Sequence, residues 1–181
     1  MIEFGNNMLG TIPFALPWII VAAFQSAVQT SDFANIQTAT HQLEHSGLMG
    51  CTAEIEGEKP IINPSKDVVA AAIDRMTPDG GPGFLILTAK NGDFAQTAGG
   101  NGAFTVEWRE YAHGTFKHWV AGRLADKSSG QIAIATNGFQ VTVNSNEKLA
   151  SAEAKSILLT FCGAQGRPGQ FSWRDITDRF Q

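Results

Sequence analysis

Three groups of residues in this chain have types and spacings that could do chemistry. The sharpest is His41-Gln42-Leu43-Glu44-His45, which matches His-x-x-Glu-His, the inverted form of a zinc-protease signature. On a helix, His41 and His45 stand one turn apart and can share a metal, with Glu44 as the base for a bound water. Glu107 or Glu110 downstream would supply a third ligand. The context works against this. The motif ends a short polar helix just before Gly47, where a histidine suits the helix dipole without any metal. Proteases that carry the motif are also built on much larger domains. A small zinc-dependent hydrolase using His41, Glu44 and His45 is therefore the second reading of the chain. No metal or cofactor is expected in the first.

Gly99-Gly100-Asn101-Gly102 has the glycines of a phosphate loop but no following Lys-Ser or Lys-Thr, and it opens a strand instead of a helix. It reads as a hairpin loop. Cys51 and Cys162 are too far apart for a Cys-x-x-Cys pair and too few for a disulfide framework. The plain expectation is reduced thiols in the cytoplasm, with a single bridge as the alternative in an oxidising compartment. Cys51 follows Gly50 in what reads as an exposed loop, while Cys162 ends an amphipathic helix and is expected to be buried and inert. No Gly-x-Ser-x-Gly nucleophile motif occurs.

The elements around these groups read as α+β. Pro17 to Gln29 predicts a helix with a continuous apolar run, Trp18 to Phe24, and Ser31 or Asp32 caps a second one that stops at Gly47. The apolar run lacks the Lys or Arg that should precede it in a signal peptide, and Pro13, Pro17, Gln25, Ser26 and Gln29 interrupt or end it. It reads as a buried core helix. An uncleaved signal is an alternative, and docking through it, to a membrane or to another copy, is a third reading of the chain. Residues 50–64 read as a connector with a short strand at CTAEI. Ser65 caps a helix with Val68, Val69, Ala72, Ile73 and Met76 on one face.

From Phe84 onward the pattern is that of an antiparallel meander. Phe84 to Thr88 is apolar on both faces, Asn91-Gly92 is a hairpin signal, and Asp93 to Ala98 follows. In Ala103 to Tyr111, Phe104, Val106 and Trp108 alternate with Thr105, Glu107 and Arg109. Ala112-His113-Gly114 turns the chain back into Thr115 to Ala121. Two more strands, Gln131 to Ala135 and Phe139 to Val143, precede a helix capped by Ser151, and Phe171-Ser172-Trp173 closes the chain as a strand or aromatic anchor. The expected architecture is an antiparallel meander flanked by helices, with a helical N-terminal extension or subdomain over 1–58 and an α+β domain over 59–181.

Composition narrows the function classes. A net charge of −4 argues against direct nucleic-acid binding, which asks for a basic stripe, and suits a basic protein partner. With Phe104, Val106 and Trp108 facing the core, Glu107 and Arg109 face out, joined by Lys117 and Trp119 from the return strand. We expect Glu107, Arg109, Glu110, Lys117 and Trp119 to form a partner-contacting surface, since Trp and Arg are frequent anchors.

The meander also carries a family likeness. Phe94-Ala95-Gln96-Thr97-Ala98-Gly99, Phe104-Thr105-Val106-Glu107-Trp108-Arg109-Glu110 and Lys117-His118-Trp119-Val120-Ala121 resemble the core of the deaminase-associated immunity proteins, the first-numbered immunity family of bacterial polymorphic toxin systems. Ser151 to Phe161, Gly166-Arg167-Pro168 and Phe171-Ser172-Trp173-Arg174 are similar to that family's C-terminal part. The helix after Asn63-Pro64-Ser65 and the strand Phe84 to Leu87 are similar to its opening. The likeness spans residues 61–178, and residues 1–58 have no counterpart. It implies a cytoplasmic antitoxin, not an enzyme. Such a protein occludes a cognate toxin delivered by a type VI or contact-dependent apparatus, with deaminase or nuclease activity. Glu107, Trp108 and His118 are its motif positions.

Overall fold

The computed structural model describes residues 48, 50–124, 130–163 and 166–180. The two helices expected before Gly47 lie outside these residues, as do His41, Glu44 and His45. The chain builds β1 (Cys51–Ile55), β2 (Ile61–Ile62), α1 (Lys66–Arg75), β3 (Phe84–Ala89), β4 (Phe94–Gly100), β5 (Ala103–Ala112) and β6 (Thr115–Arg123). Then come β7 (Gln131–Ala135), β8 (Gln140–Asn144), a 3-10 turn (Ser145–Glu147), α2 (Ser151–Phe161), β9 (Phe171–Asp175) and a second 3-10 turn (Thr177–Phe180). The mix is α+β, with two helices and a dominant antiparallel sheet among the described residues.

That sheet has seven strands in the order β2-β1-β3-β4-β5-β6-β9. Residues 50–64 are thus not a connector: β1 pairs with β3 along its whole length, and the sheet begins ahead of residue 58. Its register is set by tight turns. Asn101-Gly102 and His113-Gly114 each place both central residues at positive φ (51° and 79°, 51° and 77°), the backbone that two-residue hairpins demand. The glycine-rich stretch is accordingly shorter as a loop than expected, since Gly99 and Gly100 belong to β4.

The helices cover one face of this sheet. Ser65 Oγ accepts the Val68 N–H at 3.2 Å to start α1, which buries Val69, Ala72 and Ile73 but leaves Val68, expected on the same face, exposed. For α2 the expected cap is displaced. Ala150 stands at the cap position, Glu153 accepts the Ala150 N–H at 2.7 Å, and Ser151 is already helical. The core beneath both helices comprises Ala53, Leu85, Leu87, Ala95, Phe104, Val106, Trp108 and Ala121 from the sheet, and Ile157, Leu158 and Phe161 from α2.

Cys51 opens β1 and Cys162 closes α2, and the two are joined in a disulfide with their Cα atoms 6.0 Å apart. The expectation of reduced thiols is corrected here, and Cys51 is buried in a strand instead of exposed in a loop. No helix among the described residues is long and apolar enough to cross a membrane.

The opposite face is covered differently. β7 and β8 form a separate hairpin packed against β4 and β5. Its turn reaches Glu56 through Asn137, and the following 3-10 turn holds Arg174 through Glu147.

Candidate functional site

β5 and β6 supply most of the candidate residues, and their register decides which can act together. Trp108 pairs with Trp119, Arg109 with His118 and Glu110 with Lys117. Residues opposite one another share a face. Glu107 and Arg109 therefore stand with His118 on the helix-free face, whereas Glu110, Lys117 and Trp119 stand with Trp108 on the helix face. The expected single surface of five residues is split in two, and the outward face assigned to Glu107 and Arg109 is largely buried.

On the helix-free face, Arg109 is 5% exposed and His118 0%. The Arg109 Nε–H donates to His118 Nδ1 at 2.8 Å, so Nδ1 must be bare and the ring proton sits on Nε2. Nε2 then donates to Glu107 Oε2 at 2.9 Å, and Gln96 Nε2 donates to the same oxygen at 2.6 Å. Burial pushes the Glu107 carboxyl up, but these hydrogen bonds and the Arg109 charge outweigh it and hold it below the usual range. Three rings surround the Arg109 guanidinium: Phe116 at 4.2 Å, Phe180 at 4.6 Å and Phe94 at 5.0 Å. Phe180 also stacks on His118 at 4.5 Å. It is brought there by the tail after β9, whose Ile176 N–H donates to the His118 carbonyl and whose Thr177 hydroxyl accepts the His118 N–H.

A histidine beside a glutamate is the usual start of a general-base pair. Here both ring nitrogens are engaged and the ring is closed to solvent. The ring can orient and lock Glu107, with neither nitrogen free to take a proton from a substrate. Among the described residues, four buried side-chain atoms lack a hydrogen-bond partner: Glu54 Oε2, Gln96 Oε1, Thr105 Oγ1 and Arg109 Nη2. All four side chains belong to this same face, and Glu54, Ile86, Gln96 and Glu107 form one row across it. Burial raises the Glu54 carboxyl.

The other group lies at the end of the helix face. Arg167 places its guanidinium 3.6 Å from the Trp119 ring centroid and 5.7 Å from that of Trp173. Its Nε is 3.6 Å from Glu110, which also accepts the Trp108 indole N–H at 2.9 Å. Lys117 meets Asp175 at 3.2 Å, with side chains 62% and 45% exposed. Hydrogen bonds from Thr177, helped by Lys117, hold the Asp175 carboxyl down at about 2. Tryptophan, arginine and paired charges with one side open to solvent are the composition of a protein-contact hot spot. Of this group, Trp119, Lys117 and Glu110 are among the residues expected from the sequence, and Arg167 is not. The signal was an arginine beside Pro168, shortly before an aromatic strand.

Neither group is a metal site: among the described residues no cluster of His, Cys, Asp or Glu could hold an ion. A shallow pocket of about 180 Å³ lies between α1 and the β4–β5 turn, lined by Ile73, Asp74, Met76 and Phe104. Its Asp74 is already engaged by Lys155 and Ser151. The chain matches no protein-family model and no curated protein.

Proposed function

We propose that this protein is an immunity protein that binds a cognate toxin and blocks it by occlusion, without chemistry of its own. The observation that carries the reading is the contrast between the two groups. The His118 ring is sealed under Phe180 and Phe94, while Arg167, Trp119, Glu110, Lys117 and Asp175 present a half-open aromatic and charged surface. The likeness of residues 61–178 to deaminase-associated immunity proteins supports it, as does the acidic balance against a basic deaminase or nuclease groove. The partner would be a type VI or contact-dependent effector. Cytoplasmic residence, expected from the cysteine count, fits poorly with a formed bridge.

The test is co-purification and rescue. The full chain should retain the product of the neighbouring gene through size exclusion, and co-expression with both proteins directed to the same compartment should restore growth of cells that express that product. No retained partner and no rescue would end the proposal.

A further inference from the structure

Cys51 and Cys162 are this chain's two cysteines, at a sequence separation of 111. The fold nevertheless brings their Cα atoms to 6.0 Å, inside the range a bridge requires, with Cys51 3% exposed. The position of the bridge matters as much as its presence. Phe161, next to Cys162, packs edge-on against Trp108 at 4.8 Å, and Trp108 packs against Trp173 at 5.8 Å. The chain leaving Cys162 then carries Arg167 and Pro168. Its far end is tied down where the Pro168 carbonyl accepts the Trp173 indole N–H and the Phe171 N–H. Arg167 thus lies over Trp119 between two fixed points in the sequence, the bridge at Cys162 and the hydrogen bonds from β9 to Pro168.

We infer that the Cys51–Cys162 bridge holds the Arg167–Trp119 surface in its binding shape, and that this protein intercepts its partner in an oxidising compartment outside the cytosol. The partner half of this inference rests on the immunity reading; the bridge half does not. Closure is a two-electron exchange. The two thiols lose two protons and two electrons to the disulfide of a thiol–disulfide oxidant, which leaves as a dithiol, and a sulfur–sulfur bond forms in the protein. The glutathione and thioredoxin pools of the cytosol oppose that step, and oxidising compartments supply it.

The first experiment needs no toxin. Cells expressing the full chain are acid-quenched, and the protein is alkylated with a polyethylene-glycol maleimide before and after reduction. The expected result is no added mass before reduction and two added chains after it. Two chains added straight from quenched cells would overturn the compartment. The second experiment follows the Trp119 indole resonance by NMR in oxidised protein, in protein reduced under native conditions, and in both forms of Arg167→Ala. Reduction should move that resonance as Arg167→Ala does, and should add little in the Arg167→Ala background. An unmoved resonance would overturn the clamp, even where Cys51→Ala and Cys162→Ala variants fail to fold. A bridge that forms in a protein that rescues no cell, with the toxin sent to the same compartment, would leave the compartment standing and remove the immunity reading.

Discussion

Arg109 and His118 meet nitrogen to nitrogen at 2.8 Å, and the arginine is the donor. One hydrogen bond therefore fixes the tautomer of a fully buried imidazole and aims its proton at Glu107. Nitrogen-15 NMR at neutral pH should find His118 Nδ1 unprotonated and Nε2 protonated. A protonated Nδ1 would reverse the assignment. Arg109→Ala empties the space between three phenylalanine rings and leaves Nδ1 without a donor. Urea denaturation should read a loss of about 2–4 kcal/mol.

Arg167 should matter to the partner far more than to the fold. It touches Trp119 and Glu110 from a loop and is not part of the core. Under the proposed immunity role, Arg167→Ala should weaken toxin binding at least tenfold, about 1.4 kcal/mol or more, with little change in thermal midpoint. Titration calorimetry beside a melting curve separates the two. Equal affinity in the variant would move the interface elsewhere.

The bridge closes a long loop, 111 residues by sequence separation. Replacing both cysteines with alanine should cost about 2–5 kcal/mol, the upper figure being the chain-entropy limit for a loop of this size. Denaturation of the variant and of wild-type protein with and without reductant should place the variant beside the reduced form.

Glu54 carries a cost that depends on pH. Burial raises its folded carboxyl above the unfolded value, and Oε2 has no partner. A raised carboxyl penalises the folded state where it must ionise, above the carboxylate range, and the penalty fades as pH falls below it. Glu54→Gln should therefore stabilise the protein at pH 7, by up to about 1 kcal/mol for a half-buried group. The gain should vanish near pH 4. A pH-independent difference would point to packing instead.

Much of the sheet is legible in the residue pattern. The alternation of Phe104, Val106 and Trp108 marks the core face of β5, and the Asn-Gly and His-Gly turns mark the hairpins. The error lies in register. A two-residue turn at His113-Gly114 pairs Ala112 with Thr115, so odd positions on β5 face the same way as even positions on β6. Arg109 must then join His118, and Trp119 must join Trp108. Counting the turn separates Glu107 and Arg109 from Lys117 and Trp119. Burial of the polar face is harder to read. Period-two logic sends charges to water, and nothing local announces that Phe180, far along the chain, returns to cover Arg109. The disulfide is hidden for a related reason, because pairing of distant cysteines is a property of the fold and not of their spacing.

The sheet order also has a consequence for synthesis. β3 through β6 follow one another through short turns and can zip together as they emerge, since each pairing is local. β9 covers the outer edge of β6 only after the β7–β8 hairpin and α2 have been made. Until Phe171 to Asp175 arrive, the backbone of Trp119 to Arg123 is an unpaired strand edge beside an exposed tryptophan. That interval is when a nascent chain is most open to pairing with its neighbours on the same message.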